Sequence, residues 1–322
     1  MRAPRPRAAY DPRVLHLRLI TPADRTDEVV ALLERTVGTA HLVVLAGAAR
    51  DPAGDVVLCD VAREAADGVV TELRAQGIDR CGAISLQDTA LTLSLRAEEA
   101  EREAPGDSAD AVVWDELVEA TQEESTLSGT YLAFLAIATM IAACGVVLDN
   151  AVLVVGAMAV GPEFGPLAGL CTAIVRRAPA LALRSLLALV VGFAAAVALT
   201  VAFSLLMDAL GLFTEARVEG ARPNTRFIYD PDLFSFVVAL LAGIAGILSL
   251  TSAKSGALVG VAISVTTVPA AANAAVAFAY ADYVQARGSA EQLLLNLLGL
   301  TLSGTATLLV QRLVRRRAAP RG

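Results

Sequence analysis

The sequence is poor in the residue types that build metal centres, disulfide scaffolds and hydrolytic sites. Its 322 residues include only two histidines, four cysteines, one tryptophan and 13 prolines. Such counts exclude a disulfide-rich scaffold and a collagen-like or other low-complexity chain. Charged residues are also scarce, at 18%, whereas 56% of the residues are hydrophobic. With a mean hydropathy of +0.60, the chain is a membrane protein or a soluble domain joined to a membrane domain.

The charges are distributed unevenly along the chain. Residues 1–128 carry a net charge of −11, and residues 129–322 carry +4. The acidic front part has the composition of a soluble domain and argues against nucleic-acid binding, which needs a basic face. Of the 26 basic residues, Lys254 is the only lysine. We interpret this arginine bias as the codon usage of a GC-rich bacterial genome.

The front part predicts an α+β domain over residues 13–95. Apolar residues alternate in four predicted strands, and two amphipathic segments with helical spacing lie between them. Asp24 or Thr26 is expected to cap the first helix. The order βαββαβ is that of the ferredoxin-like sandwich, with strand order 4-1-3-2. The predicted strands are 14–20, 41–46, 55–61 and 81–86, and the predicted helices are 26–37 and 63–76.

This domain contains no recognisable catalytic constellation. His16 and His41 lie on predicted strands, where a structural role is favoured over a role as ligands. Cys59 and Cys81 fall on strands that are not neighbours, so we expect no disulfide and a reducing, cytosolic location. No cysteine pair has metal-ligand spacing. We therefore expect no metal, no cofactor and no enzymatic activity.

The segments that flank this domain are polar or amphipathic. Residues 1–12 form a basic tail without an apolar core, expected to be disordered or to contact anionic lipid. Residues 96–126 form a helical connector. Residues 111–124 are amphipathic within it, which favours a helix at the membrane surface with Trp114 at the interface. A solvated linker helix is the alternative.

Residues 127–314 predict six membrane spans, and residues 315–322 a basic cytosolic tail. Each apolar run is long enough to cross a hydrocarbon core of about 30 Å as a helix. The second run is interrupted only by Glu163. The predicted spans are 125–148, 150–175, 185–207, 233–253, 255–281 and 292–311.

Basic residues orient these spans. Arg176, Arg177 and Lys254 fall in loops on the same side as the two chain ends, which is expected to be the cytoplasm. The loop before the fourth span disagrees with this rule, since it carries Arg217, Arg222 and Arg226 on the external side, balanced by acids. The predicted location is the inner membrane of a bacterium, with both termini cytoplasmic.

The two halves of the membrane part share a pattern. The middle span of each half is interrupted, within 154–166 in the first and 258–273 in the second, and each reaches a proline, Pro162 or Pro269. Three spans per half make the repeats inverted. Paired interrupted segments are typical of transporter cores, because unpaired backbone groups cannot face lipid. A cavity near the midplane is favoured, and prolines that only kink two packed helices are the alternative.

The predicted midplane binding site contains residues from both interruptions. Glu163 stands out, because an isolated carboxylate within a span is costly. A buried functional acid and a position near one interface are both open for it. The site comprises Gly161, Pro162, Glu163, Gly165, Pro166, Thr266, Thr267, Pro269 and Asn273.

Several motifs resemble those of a bacterial membrane family, domain of unknown function 389. The resemblance rests on residues 132–166, with Gly-Ala-Met at 156–158 and Pro-x-x-Gly-Pro at 162–166, on residues 259–269, and on Asn-x-x-Gly at 296–299. It covers the membrane half and is looser over the front domain. Glu163 stands where the family commonly has an apolar residue, and Pro269-Ala270 stands where it has two prolines. The resemblance implies the architecture and no specific activity.

Three functions are compatible with this sequence. The first is a membrane transporter or channel-like protein with a cytosolic regulatory domain that binds a small molecule. The second is a membrane-anchored, oligomeric ligand sensor or scaffold without transport. An intramembrane enzyme is disfavoured, since the membrane half has no histidine or close carboxylate pair. The expected partners are the lipid bilayer, further copies of the chain and, by fold analogy only, a nucleotide or amino acid.

Overall fold

The computed structural model describes residues 14–89, 92–104, 112–218, 220, 222–230, 232–251 and 267–318. These residues form two compact units. The first contains residues 1–115 together with 315–322, and the second contains residues 116–314. The predicted basic tail at residues 1–12 lies outside the described residues. The predicted basic tail at the other end overlaps a helix that continues to Ala318.

The first unit is built on a four-stranded antiparallel sheet. Its spatial order is β2-β3-β1-β4, which is the order expected from the sequence. Leu17 pairs with Cys59 on one side and with Leu86 on the other. The strands are β1 (Val14–Thr21), β2 (Thr39–Arg50), β3 (Ala53–Ala62) and β4 (Ala83–Asp88).

Helices cover one face of this sheet. Leu15, Leu17 and Leu19 alternate along β1 and are buried, because they face the apolar side of the helices. The side chains between them, including His16 and Arg18, lie on the open face. The helices of this part are α1 (Thr26–Arg35), α2 (Arg63–Ala75), the short α3 (Ile78–Cys81) and α4 (Leu95–Glu103).

Two local predictions for this unit were wrong. Arg25 holds the cap position of α1, and neither Asp24 nor Thr26 caps it. Thr26 is instead the first helical residue, and its hydroxyl donates to the Asp55 carboxylate at 2.6 Å. Cys81 ends α3 and does not begin the last strand, because an additional helical turn follows Gly77 in its left-handed conformation (φ 75°).

The connector helix α5 (Trp114–Glu124) begins close to the predicted position. Its first residue is covered by protein. Trp114 is 6% exposed, and its backbone N–H donates to Asp67 at 3.1 Å. The protein thus covers Trp114, and the placement of this residue at the membrane interface stays a prediction.

The second unit is helical and apolar. Among the described residues, four helices are long and apolar enough to cross a membrane, namely α6, α9, α11 and α13. The bent pair α7 and α8 is a fifth candidate, and α12 is a shorter apolar helix. The helices are α6 (Gly129–Val147), α7 (Ala151–Val160), α8 (Phe164–Arg176), α9 (Pro179–Ala209), the short α10 (Glu215–Val218), α11 (Leu233–Thr251), α12 (Thr267–Ala279) and α13 (Tyr283–Ala318).

Hydrogen bonds define the two ends of this helical unit. At one end, which we call the arginine end, Ser185 donates to Ser125, Gln311 to Thr251 and Arg312 to the Val175 carbonyl. At the other, the loop end, Asn224 binds Asp149 and Tyr280 donates to Asp208. Of the four long helices, α6 and α9 therefore run from the arginine end to the loop end, and α11 and α13 run the opposite way.

Small residues let the helices of this unit approach closely. A Cβ at Gly243 would lie 2.8 Å from the Leu300 carbonyl oxygen, and one at Gly299 would lie 2.9 Å from Ala239. Close packing at small residues is the usual way in which helices associate in lipid. These glycines pack α11 on α13 within the chain, so they no longer argue for contacts between copies.

A pH dependence of the first unit follows from Asp55. Its pKa is lowered, chiefly because the Thr26 hydroxyl donates to the carboxylate and also because the Gly47 N–H does so. A carboxylate with a lowered folded-state pKa stabilises the fold above its unfolded-state value of about 3.9. That contribution is lost as the pH falls through the folded-state value.

We expect Asp55→Asn to speed amide hydrogen exchange in β2 and β3 of the full chain near pH 7. The difference from the unsubstituted protein should shrink as the medium is acidified below pH 4. Asp51→Asn, at an exposed turn residue, is the matched control and should leave exchange unchanged. Equal exchange in the Asp55 variant and the unsubstituted protein at neutral pH would contradict this assignment.

Candidate functional site

The second predicted span is broken where the sequence indicates. The Asn150 side chain caps α7 by accepting from the backbone N–H groups of Val152 and Leu153. The helix ends at Val160, and α8 begins at Phe164 with a bend of 53°. Pro162 has no N–H to donate and restricts the residue before it, so helical hydrogen bonding cannot continue through this point.

The helix that follows this break has a counterpart in the other half of the unit. Both α8 and α12 contain 13 residues, and each has proline as its third residue, Pro166 in one and Pro269 in the other. Proline is tolerated in a first helical turn, where the N–H has no partner within the helix. Both prolines therefore lie in the first described turn of their helices, and the interpretation of Pro162 and Pro269 as simple kinks stays an alternative.

The beginnings of α8 and α12 meet. The Thr267 hydroxyl donates to Glu163 Oε1 at 2.7 Å. Thr267 is the first residue of α12, and Glu163 is the residue before α8. A Cβ at Gly161 would meet the Glu163 carboxylate and lie 2.7 Å from Val268. A larger residue at position 161 would therefore displace these side chains.

Glu163 is buried in this contact, with 5% of its surface exposed. Its Oε2 is buried as well and has no hydrogen-bond partner among the described residues. The Glu163 carboxylate is therefore not reached by solvent in this structure. Helix N-termini favour negative charge, but an ionised carboxylate away from water is costly. Such a group is suited to bind a proton or a small cation.

The remaining predicted site residue of α12 lies elsewhere. Asn273 is six residues beyond Thr267, which is about 9 Å along a helix. Its side chain donates to Ser289 at 2.7 Å and to Gln285 at 3.3 Å, and it accepts from Arg222 at 3.1 Å. A single cavity that contains both Glu163 and Asn273 is therefore not what the described residues form. The predicted site separates into two polar clusters on one helix.

The other predicted positions are accounted for as follows. Gly165 and Pro166 are buried in the first turn of α8, where Gly165 lies against Glu124. Arg176 and Arg177 are exposed at the arginine end, and Arg177 ends α8 in a left-handed conformation (φ 56°). Thr266 and Lys254 lie outside the described residues.

Arg222, Gln285 and Ser289 belong to this second cluster but were not predicted as members of a site. A signal for Arg222 was present, because its loop was the one that violated the charge rule for orientation. Gln285 and Ser289 gave none, since they precede the apolar run predicted as the sixth span. The structure extends that helix back to Tyr283, which brings both side chains to Asn273.

The first unit contains a separate polar cluster on its open sheet face. Both histidines of the chain bind Asp60, His16 through Nδ1 at 2.8 Å and His41 through Nδ1 at 2.7 Å. Nε2 of His41 is also 2.7 Å from the Ser94 hydroxyl. Among the described residues, no group of three or more histidine, cysteine or acidic side chains is placed to hold a metal ion. The histidines have the structural partners that strand positions favour.

Comparison with known proteins supports the family resemblance. Residues 158–302 match the family model described as "Domain of unknown function (DUF389)". The match spans α8, α12 and the segment between α9 and α11 that contains Arg222. The predicted resemblance is therefore confirmed over this part of the chain. It begins after the first transmembrane helix candidate, and residues 1–115 of the first unit lie outside it.

One relative and no solved structure accompany this match. An uncharacterized protein of Methanocaldococcus jannaschii is 28% identical over 207 residues. The alignment covers 64% of this chain and 60% of the relative, so the chain spans less than two thirds of that protein. No solved structure matches the chain.

Replacement of Glu163 separates the roles of its shape and its charge. Glu163→Gln keeps an oxygen for Thr267 and removes the cost of a buried charge, so we expect unchanged or higher thermal stability. Glu163→Ala leaves the Thr267 hydroxyl unpaired beside a cavity and should lower the free energy of unfolding by about 1–3 kcal/mol. Thermal unfolding of the detergent-solubilised full chain measures both. A glutamine variant as unstable as the alanine variant would show that the negative charge itself is structural.

Proposed function

We propose that this chain is a membrane transport protein whose pathway passes the contact between α8 and α12. The observation that carries the proposal is the hydrogen bond from Thr267 to Glu163 at 2.7 Å. It joins the break before α8 to the described start of α12 at a buried carboxylate, one oxygen of which has no partner among the described residues. Interrupted helices whose ends meet inside a membrane domain are the arrangement that transporters use to bind solutes and ions.

The direction of the two half-helices supports an inverted repeat. From Glu163, α8 runs to the arginine end, while α12 runs from Thr267 to Tyr280 at the loop end. Each has 13 residues, or about 20 Å, which is too short to cross about 30 Å of hydrocarbon alone. We infer six crossings, with the predicted span 255–281 as the fifth, of which the residues from 267 onward are described and include α12.

The charges support an orientation for this unit. Arg176, Arg177 and Arg312 lie at the arginine end, which the positive-inside rule assigns to the cytoplasm. We therefore propose a bacterial inner membrane location with both termini cytoplasmic. The loop end, with Asp149, Asn224 and Tyr280, then faces outward.

The first unit is proposed to regulate transport by binding a small molecule. Its strand order is that of a ferredoxin-like sandwich, and its open face carries Arg18, the Asp60 cluster and Ser85. Arg18 donates only weakly to Ser85, at 3.4 Å. A charged group on an open sheet face with one long hydrogen bond is suited to an anionic ligand such as a nucleotide or amino acid.

A second candidate function is a ligand sensor or scaffold without transport. The observation that favours it is an apolar edge on the sheet, where Val43, Val44 and Leu45 of the outer strand β2 are 44%, 41% and 46% exposed. Such an edge can pair with a second copy, so we propose a homo-oligomer under either function. A mass measurement in detergent that finds only monomers would overturn this oligomer.

Transport is tested with currents from proteoliposomes on a solid-supported membrane. The probes are amino acids, nucleotides and small dicarboxylic acids applied as rapid concentration jumps. We expect a current with at least one probe class and its loss, by tenfold or more, in Glu163→Gln. The carboxamide keeps the Thr267 hydrogen bond but cannot exchange a proton.

Glu291→Gln is the matched control for this experiment. Glu291 lies on the surface at the loop-end half of α13 and pairs with Arg287 at 2.7 Å. Its replacement should leave the current unchanged. Currents that persist in Glu163→Gln, or no protein-dependent current with any probe, would contradict the transport proposal. Either result would favour the ligand sensor or scaffold without transport.

A further inference from the structure

The second polar cluster of the membrane unit contains a buried arginine held by neutral groups. Arg222 lies in the segment between α9 and α11 and is 4% exposed. Its Nη1 donates to Asn273 Oδ1 at 3.1 Å, and its Nη2 donates to Gln285 Oε1. The guanidinium also lies over the Tyr229 ring, 5.4 Å from its centroid. Two amide oxygens and a ring face orient this cation without neutralising it.

No carboxylate among the described residues forms an ion pair with Arg222. The nearest acids whose charge reaches it are Asp149 and Asp282. Asp149 already accepts hydrogen bonds from Asn224 and Thr225. Removal from water lowers the pKa of the guanidinium more than these acids raise it. The cation is therefore buried at a net electrostatic cost, because burying a charge without a counter-ion is unfavourable.

The same guanidinium has unused capacity to donate. Its Nε is buried and has no hydrogen-bond partner among the described residues. Arginine presents five N–H donors in a planar fork, which fits the two oxygens of a carboxylate or phosphate. A buried arginine that has no counter-ion and one unused N–H donor is suited to bind an anion.

A cavity adjoins this side chain. It has a volume of about 590 Å³ and is lined by Arg222, Pro223, Arg226, Tyr229 and Asp230. Arg226 is paired with Asp230 at 3.1 Å, so its charge is already balanced. The volume lies within the range of small-molecule sites. Arg222 is then the lining cation whose charge a ligand can neutralise.

We propose that Arg222 binds the anionic group, a carboxylate or a phosphate, of a small solute that enters at the loop end. As a statement about a transported solute this rests on the proposed function, whereas the binding itself does not. Asn273 couples the two clusters, because it contacts Arg222 and belongs to the same helix as Thr267. Anion binding at Arg222 would change the contacts of Asn273 in the middle of α12, whose first residue, Thr267, holds Glu163.

The experiment measures anion binding to the purified full chain in detergent. Inorganic phosphate and succinate are titrated at constant ionic strength, with choline chloride as the blank, and binding is followed by calorimetry and thermal shift. We expect saturable stabilisation by at least one of the two anions. The phosphate and succinate arms show which anionic group the site prefers.

Substitutions of Arg222 identify the residue responsible. Arg222→Gln should weaken anion binding by about tenfold or more, because it removes the charge and the fork. Arg222→Lys should retain an intermediate affinity, since it keeps the charge alone. Arg217→Gln, at an exposed arginine of the same segment that does not line the cavity, is the matched control and should bind within about twofold of the unsubstituted protein.

Gln285→Glu keeps the proposal testable if Arg222 is needed for folding. This nearly isosteric change puts a carboxylate against the guanidinium and supplies the missing counter-charge. We expect the variant to fold, to be at least as stable as the unsubstituted chain, and to lose anion binding. A purely structural Arg222 predicts no anion-dependent stabilisation in any variant.

The possible outcomes are distinct. Saturable binding that is lost in Arg222→Gln and Gln285→Glu supports the site. Binding that survives in Gln285→Glu, or its absence from the folded unsubstituted protein, overturns it. Binding without any transport current would leave the anion site standing and refute only the transport proposal.

Discussion

The hydrogen bond between Thr267 and Glu163 holds the start of α12 against the break before α8. A helix interrupted inside a bilayer exposes backbone donors and acceptors that lipid cannot satisfy. In this chain the break before α8 and the start of α12 are brought to the same point, where each is covered by the other. Gly161 makes the approach possible, because any larger residue would displace the Glu163 carboxylate. The same contact buries the ionisable side chain of Glu163. The residues that cover the break therefore also form a candidate site.

Much of this architecture could be predicted because periodicity and composition act locally. The alternation in β1 and β3 predicted a half-buried sheet, and the apolar runs predicted α6, α9 and α11 to within a few residues at most ends. The break at Pro162 follows from the missing N–H of proline. The misplaced cap at Thr26 and strand start at Cys81 have a different cause. Thr26 is engaged by Asp55, which is distant in the sequence, and an added turn at α3 moves Cys81 off the strand.

The candidate site was predicted less completely, because helical pitch separates residues that are close in the sequence. Thr267 and Asn273 were assigned to one cavity, yet six residues along α12 place them at different depths. Arg222 was noticed only as an exception to the charge rule. Arg222 is buried against Gln285 and Asn273. These residues are more than 50 positions away in the sequence, so no local pattern predicts the contact. The resulting arrangement has one acidic and one basic cluster at opposite parts of a single half-helix.

The most direct test of the account is the proximity of the two helix beginnings in the membrane. The measurement is thiol cross-linking of Glu163→Cys combined with Thr267→Cys in native membranes, with short bifunctional reagents. Glu163→Cys combined with Asn273→Cys is the matched pair, and Cys144 and Cys171 are replaced by alanine in both. The account predicts efficient linkage of positions 163 and 267 and little linkage of 163 and 273. Equal linkage of both pairs, or preferential linkage of 163 to 273, would contradict it.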